Sequence, residues 1–375
     1  MRSLARSQIV TLALCVLFIT SCSKPAAENP FAYPFVKPLH LKREEGKPYS
    51  GYRAFYLLTE DFEPVVESAS DVESIREALT FASSLSSKYK VPWTHFVDVN
   101  TLAPAFVADD QELKRACVSM IADLKAMAQN SDDCELHLHG PLNSKLLEQL
   151  KTQHKIHLPR LLTESDQLYR QRKSFFFQSF YRSGYRELVS SLAYSKGFLE
   201  SVIYDAKLDV LAFRPGGWDH GASSQDTLLY FHALADAGLT ANSGLSTGDF
   251  GAQNWRVGND PGHNLATIAV DDKQIIEVSP TAGPGAYLNP VLPHDLAKTA
   301  RKITDEMPVI VAVYHLGGLQ KTKHAIEDGT QRSDAELESE REKLEQHFRN
   351  VADLTAAKVL YPITLRELLA IISGR

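Results

Sequence analysis

Short apolar runs alternate with amphipathic segments along the chain from about Gly51 onward. Runs rich in β-branched residues are typical of strands buried on both faces, whereas apolar residues at every third or fourth position are typical of helices. Their alternation indicates a parallel sheet with crossover helices. The runs that predict strands are Arg53–Leu58, Trp93–Val99, Cys134–His139, Val210–Arg214, Leu239–Ser243, Gln274–Val278, Val309–His315 and Lys358–Leu360. About seven or eight strands favour a closed or nearly closed (β/α) barrel, a single α/β domain over residues 51–375.

The amphipathic segments predict helices between these strands. They are Asp71–Lys88, Asp110–Gln129, Lys145–Thr152, Ser224–Ala237, His294–Asp305 and Ser333–Leu354. Thr163–Lys207 is long, aromatic and charged and lacks a strand pattern, so it predicts an inserted helical region. Its aromatic residues either pack in the core or form a surface that stacks on sugars. Gly244–Pro261 is dense in Gly, Asn and Asp and predicts a long loop that borders a cleft.

The amino terminus has the pattern of a targeting segment. Arg2 and Arg6 precede an apolar stretch over residues 9–19, which is short for a membrane span and typical of a signal peptide. The small residues before Cys22 resemble a bacterial lipobox, which predicts a signal peptide over 1–21 and a lipid anchor on Cys22. In Gram-negative lipoproteins a residue such as Ser23, after the lipidated cysteine, usually allows export to the outer membrane. The resemblance therefore predicts a lipid-anchored protein of the bacterial cell envelope, on the periplasmic face of the outer membrane. Residues 22–50 predict a flexible tether, and an ordinary signal peptide or an uncleaved anchor is the alternative.

Composition narrows the class of protein. The chain has 375 residues, of which 44% are hydrophobic, and a net charge of −6. Nucleic acid is not predicted as a partner, because the net charge is negative and no basic cluster is interleaved with aromatic residues. Of the four cysteines, Cys15 falls in the predicted signal and Cys22 is the predicted lipid site. Cys117 and Cys134 remain, either as a disulfide or as two buried free thiols.

Three predicted strands end in side chains that can bind a metal ion or take part in catalysis. His137 and His139 alternate on one strand and therefore share a face, where two imidazoles can bind one metal ion. Arg214 ends a second strand and His315 ends a third. Because α/β barrels and open α/β sheets build their sites at the carboxyl ends of their strands, these residues are expected to lie close together.

These residues and their order resemble the polysaccharide deacetylase family, carbohydrate esterases of the glycoside hydrolase/deacetylase barrel superfamily with a distorted (β/α) barrel. The run that ends in Glu60-Asp61-Phe62-Glu63 corresponds to the first family motif, a pair of aspartates. Asp61 matches the catalytic base. Phe62 stands where the family has a metal-binding aspartate, so Glu60 or Glu63 is expected to compensate.

The later motifs follow in family order. Aligning Glu135 with the acid of the second motif puts His139 on the first metal-binding histidine and Asn143 on the second, with His137 as a further candidate. Arg214-Pro215-Gly216-Gly217-Trp218 resembles the third motif, whose arginine orients the catalytic carboxylate. Asn242 stands where the family often has an aspartate that tunes the last histidine. Val313-Tyr314-His315 resembles the fifth motif, whose histidine is the general acid.

The resemblance implies a divalent metal ion, zinc by preference, held by His137, His139 and a carboxylate of Asp61 or Glu63. It implies hydrolysis of N-acetyl or O-acetyl groups on a polysaccharide, with Arg214 orienting Asp61 and with His315 as acid. Gly217 and Trp218 would line the substrate groove.

Two alternatives stay open. Phe62, Asn143 and Asn242 favour a glycan-binding or assembly lipoprotein that has lost catalysis. A glycoside hydrolase on the same barrel would use two carboxylates, such as those of Asp61 and Asp219.

Overall fold

A mostly parallel sheet with helices packed on its outer side forms the core of the molecule. The computed structural model describes residues 36–142, 145–146, 148, 185–216, 224–244, 264–281, 305–323 and 330–374. The strands are β1 (Val36–Pro38), β2 (Ala54–Phe62), β3 (Trp93–Asp98), β4 (Asp133–Leu138), β5 (Ala212–Pro215), β6 (Ala241–Asn242), β7 (Leu265–Val270), β8 (Lys273–Val278), β9 (Val309–Tyr314) and β10 (Leu360–Pro362).

Seven strands run parallel in the order β9-β2-β3-β4-β5-β6-β8. Beyond β8, β7 and then β1 are added in antiparallel pairing, and β10 pairs in parallel with the first residues of β2. The predicted α/β class with seven or eight barrel-type strands is therefore confirmed. The sheet is not closed, because no continuous ladder joins β9 to the other edge within the described residues.

Short backbone contacts span the open side of the sheet. The Leu39 amide donates to the carbonyl oxygen of Leu265, the first residue of β7, and the Arg43 amide donates to Asp305 O just before β9. Thr281, beyond β8, donates its amide to Val311 O in β9. Residues 36–43 fall in the predicted tether, yet here they pair with β7 and reach the start of β9. Residues 36–43 therefore contact the sheet.

The helices are α1 (Ala69–Tyr89), α2 (Val99–Phe106), α3 (Gln111–Asn130), α4 (Tyr185–Val202), α5 (Ser224–Asp236), α6 (Asp334–Ala356) and α7 (Leu365–Ile372). Helix α6 begins with a capping box in which Ser333 and Glu336 satisfy each other's backbone amides. Helix α7 begins with the same motif at Thr364. The Leu365 amide donates to Thr94 Oγ1 at the start of β3, so α7 covers the amino-terminal end of the strands.

The side chains of β2 alternate between two cores. Phe55 and Leu57 belong to an inner cluster with residues of α7, whereas Tyr56, Leu58 and Phe62 belong to an outer cluster beneath the helices. We call the side of Phe55 and Leu57 the inner face. Strand periodicity places Thr59 and Asp61 on that face and directs Glu60 outward. Polar groups that follow Leu57 along the inner face therefore gather at the carboxyl ends of the strands.

The structure differs from the sequence predictions in several elements and decides between the two alternatives for the cysteines. Strands β1 and β7 and helices α2 and α7 were not predicted, and helix α4 lies within the predicted helical insertion. Cys117 and Cys134 are buried and free, so the disulfide alternative is wrong. No helix among the described residues is long and apolar enough to span a membrane.

Candidate metal and catalytic site

Three side chains bring their donor atoms together at the carboxyl ends of β2 and β4. Glu63 Oε1 lies 2.7 Å from His137 Nε2 and 2.8 Å from His139 Nε2. The two imidazole rings meet edge to face at 4.9 Å between centroids. His137 is 1% exposed and His139 is 43% exposed. One histidine therefore anchors the cluster inside the protein, while the other opens it to solvent.

The charges of the cluster reinforce one another. Burial alone would raise the pKa of Glu63, but hydrogen bonds from both imidazoles outweigh it and lower that pKa far below its usual range. Burial alone would lower the pKa of His139, but Glu63 outweighs it and raises the pKa to about 9. Metal-binding imidazoles are neutral, so a cation bound by this cluster would displace the proton that Glu63 stabilises on His139.

A second group lies on the inner face beside the first. Arg214 Nη1 donates to Asp61 Oδ1 at 2.7 Å, and both side chains are almost fully buried. Arg214 Nη2 donates to Thr59 Oγ1 at 2.9 Å and to Ser243 Oγ at 2.8 Å. The guanidinium carbon lies 4.0 Å from the centre of the Phe96 ring. These contacts fix the guanidinium plane and so the direction of the Asp61 carboxylate.

His315 directly follows β9 and faces the other oxygen of Asp61. Its Nε2 lies 3.8 Å from Asp61 Oδ2, which is longer than a hydrogen bond, and its side chain is 26% exposed. Register explains the proximity, because β9 pairs with β2 and Tyr314 stands opposite Glu60. Asp61 and His315, the next residues on each strand, are therefore neighbours.

The structure brings together Asp61, Glu63, His137, His139, Arg214 and His315 among the predicted site residues. Asp61 is not part of the cluster of convergent donors, so Glu63 is the carboxylate placed to bind a metal beside the two histidines. Gly217, Trp218, Asn143, Asp219 and Cys22 lie outside the described residues.

Three polar residues that align with or lie next to family motif positions contact the scaffold instead of the site. Glu60 faces outward and lies 2.9 Å from His95 Nδ1, so it does not replace the missing aspartate. Glu135 accepts the amides of Leu211 and Ala212 at 2.7 Å. Asn242 donates to Glu277 at 2.6 Å. All three are buried parts of the scaffold.

Sequence reasoning missed residues that support the site. Ser243 and Thr59 were not predicted, although both occupy inner-face positions next to Arg214. Asp98 ends β3 opposite His137 and accepts the Asn100 amide at 3.0 Å. Burial raises the pKa of Asp98, while His137 opposes that shift. The rule that singled out His139 and Arg214, a polar residue at a strand's carboxyl end, also applies to Asp98.

Comparisons with known proteins give likeness in structure but not in sequence. No protein-family model matches the chain, and no curated protein matches it in sequence. A provisionally assigned polysaccharide deacetylase from Mycobacterium smegmatis superposes with a TM-score of 0.47 at 10% identity, over 90% of this chain and 95% of that one. A 4-alpha-glucanotransferase from Thermococcus litoralis also gives 0.47, at 9% identity over 86% of this chain and 38% of that one.

A peptidoglycan N-acetylglucosamine deacetylase gives a TM-score of 0.31 at 11% identity, over 87% of this chain and 90% of that one. Scores below 0.5 do not establish a shared fold.

Proposed function

We propose that this chain is a metal-dependent hydrolase that removes acetyl groups from a polysaccharide. The observation that carries the proposal is the convergence of Glu63, His137 and His139 beside the Asp61–Arg214 pair and His315. Metal-assisted acyl hydrolysis needs a cation site, a base and an acid within reach of one bond. Polar groups of all three kinds lie at this one end of the sheet.

The donor set fits zinc. Two imidazole nitrogens and one carboxylate oxygen are among the commonest ligands of catalytic zinc, which leaves a further position for water or substrate. The donor atoms lie within 4.8 Å of one another, and the exposed edge of His139 gives access from solvent. Glu63 would take the place of the metal-binding aspartate of the family, which is Phe62 in this chain.

A divalent ion bound by these three residues would polarise the acetyl carbonyl and acidify an attacking water. Asp61 would accept the proton of that water, because Arg214 holds its Oδ1 and leaves Oδ2 on the side of His315. His315 would donate a proton to the amine or alcohol that departs when the acyl bond breaks. Acetate and the deacetylated sugar are then the products.

We also propose, from the sequence alone, that Gly217 and Trp218 line the sugar groove and that Cys22 carries a lipid. The chain would then act on a polysaccharide of the bacterial cell envelope, from the periplasmic face of the outer membrane. Metabolic labelling with palmitate tests the anchor: we expect incorporation into the natural chain and none into Cys22→Ser. Labelling of Cys22→Ser would contradict it.

Acetate release tests the activity. The full chain is incubated with N-acetylglucosamine oligomers and with O-acetylated polysaccharide, before and after chelation and zinc addition. We expect acetate from one of the two, loss on chelation and recovery with zinc. Asp61→Asn should abolish release while retaining zinc, and Glu63→Gln should weaken zinc binding. Glu73→Gln, on the exposed face of α1, is the matched control.

Other outcomes would overturn the proposal. Zinc bound without acetate release, together with retention on a glycan column, would indicate a binding protein. New reducing ends without acetate would indicate a glycoside hydrolase.

A further inference from the structure

We propose that Gly216 is a positioning residue for the metal site, because the imidazole of His139 occupies the space that a side chain at position 216 would fill. The inference rests on the metal site of the proposed function but not on the acetyl substrate. Gly216 acts through His139 and needs no contact with the reacting groups.

Strand register places these two residues side by side. In the parallel pairing of β4 with β5, His137 stands opposite Arg214 and Leu138 opposite Pro215. The next pair along the same line is His139 and Gly216. Side chains of neighbouring strands on one face lie about 5 Å apart. His137 and Arg214 thus share the inner face. Two residues further along each strand, on the same face, His139 has Gly216 as its neighbour.

The space beside His139 has no room for even a methyl group. A Cβ atom added to Gly216 would lie 2.5 Å from Cγ and 2.7 Å from Cε1 of the His139 ring, and closer still to Nδ1. Real Cβ atoms do not approach other heavy atoms this closely, so the ring would have to move. The backbone does not itself require glycine here, since Gly216 is not among the residues with positive φ. The requirement is therefore one of space for the imidazole.

The orientation of the His139 ring depends on few groups. It is 43% exposed, and its described contacts are Glu63 Oε1 at 2.8 Å and the His137 ring at 4.9 Å. Rotation about χ1 to relieve an overlap with residue 216 would carry Nε2 away from Glu63. Gly216 thus permits the one ring position in which the three donor atoms converge.

The test is the affinity for zinc of the full chain, measured by calorimetry. We expect Gly216→Ala to raise the zinc dissociation constant at least tenfold. The matched control is Gly51→Ala, because a Cβ at Gly51 meets nothing within 4 Å and its φ is not positive. Gly51→Ala should bind zinc as the natural chain does, and circular dichroism should show both variants folded.

A double-mutant cycle separates positioning from a general loss of structure. If Gly216 acts through His139, then adding Gly216→Ala to His139→Ala should weaken zinc binding no further. Full additivity of the two losses, or natural affinity in Gly216→Ala, would overturn the inference.

Failure of the proposed function can be told apart from failure of this inference. Zinc uptake without acetate release would refute the activity, and the affinities would still decide the role of Gly216. A natural chain that binds no zinc would overturn this inference as well, because it concerns a metal site. NMR of the metal-free protein tests the contact between the two residues on its own. We expect a nuclear Overhauser contact between the His139 ring and the Gly216 α protons, and its absence would overturn the inference.

Discussion

Arg214 on β5 bonds to Asp61 on β2 at 2.7 Å, although two strands, β3 and β4, lie between them. Neighbouring strands are about 4.8 Å apart, so a flat sheet would hold these side chains out of reach. The inner face must therefore curl around the pair. This curvature places residues of β2, β4, β5 and β9, and of the loops that follow them, at one opening.

The Arg214–Asp61 pair yields a prediction about geometry rather than charge. Arg214→Lys keeps the positive charge, but an ammonium carries three donors on one nitrogen. It cannot replace the four described hydrogen bonds that three guanidinium nitrogens make to Asp61, Thr59 and Ser243. Since a hydrogen bond to a charged group contributes about 1.5–3 kcal/mol, we expect kcat to fall about 10- to 100-fold. Steady-state acetate release with unchanged zinc content measures this. A lysine variant with the natural kcat would show that orientation of Asp61 is unimportant.

His315 should matter for turnover and not for metal binding. It faces Asp61 and is not among the three convergent donors. Because general acid catalysis contributes about 10²- to 10⁴-fold, we expect His315→Gln to lower kcat by that range while the zinc dissociation constant stays the same. Parallel turnover and calorimetry measurements check this. An equal loss of zinc affinity would instead make His315 a ligand.

Gln320 joins two loops that carry site residues. Its side chain accepts the Val65 amide at 2.9 Å and donates to Val65 O at 2.6 Å, so it ties the loop after Glu63 to the loop after His315. Gln320→Met would leave the partly buried amide and carbonyl of Val65 without this partner. We expect the free energy of unfolding to drop by about 1–3 kcal/mol and zinc affinity to fall with it. Urea denaturation and calorimetry measure the two effects.

Gln331→Met is the control for this variant, because Gln331 is exposed and bonds only to Thr322 in the described contacts. It should leave both quantities unchanged. A Gln320→Met protein with natural zinc affinity and reduced stability would show that the link is structural alone.

His95 should make stability depend on alkaline pH. It lies on the outer face, 2.9 Å from Glu60 and 3.6 Å from Asp132. Burial alone would lower its pKa, but the two carboxylates outweigh it and raise the pKa to about 10. The folded pKa thus exceeds the unfolded value of about 6.5. The contribution of His95 is fully present below pH 6.5 and is lost as the pH rises toward 10.

Urea denaturation at pH 6.5 and pH 9.5 tests this dependence. The natural chain should be less stable at the higher pH, and His95→Gln should be less stable overall but show a smaller difference between the two values. His40→Gln, which alters an exposed histidine beside Glu306, should keep the natural pH dependence. The same pH dependence in His95→Gln as in the natural chain would refute the role of His95.

Alternation and strand order made much of the site predictable. His137 and His139 share a face because they are two residues apart on a strand, and Arg214 and His315 end strands that lie on either side of them. Alternation could also have separated Glu60 from Glu63, because Glu60 has the parity opposite to Asp61 and must face outward.

Other features depend on contacts that no local pattern encodes. Glu63 follows the end of β2, and only the turn of the loop brings it to the histidines. Nothing in the local sequence distinguishes Ser243 from other serines, and only the curvature of the sheet brings its hydroxyl to Arg214. Strand β7 is not flanked by a helical pattern and pairs antiparallel to β8, so the βα alternation does not predict it. Strand β1 has only three residues, which carry too little pattern.

The pairing of residues 36–43 with β7 and with the start of β9 has a practical consequence for anyone shortening this protein. A chain cut at the predicted barrel boundary near Gly51 would strip β7 of its outer neighbour and leave a row of backbone amides and carbonyls bare. An exposed edge strand can pair with other molecules through its free backbone groups, so such a fragment would tend to aggregate. A soluble fragment should instead begin ahead of Val36.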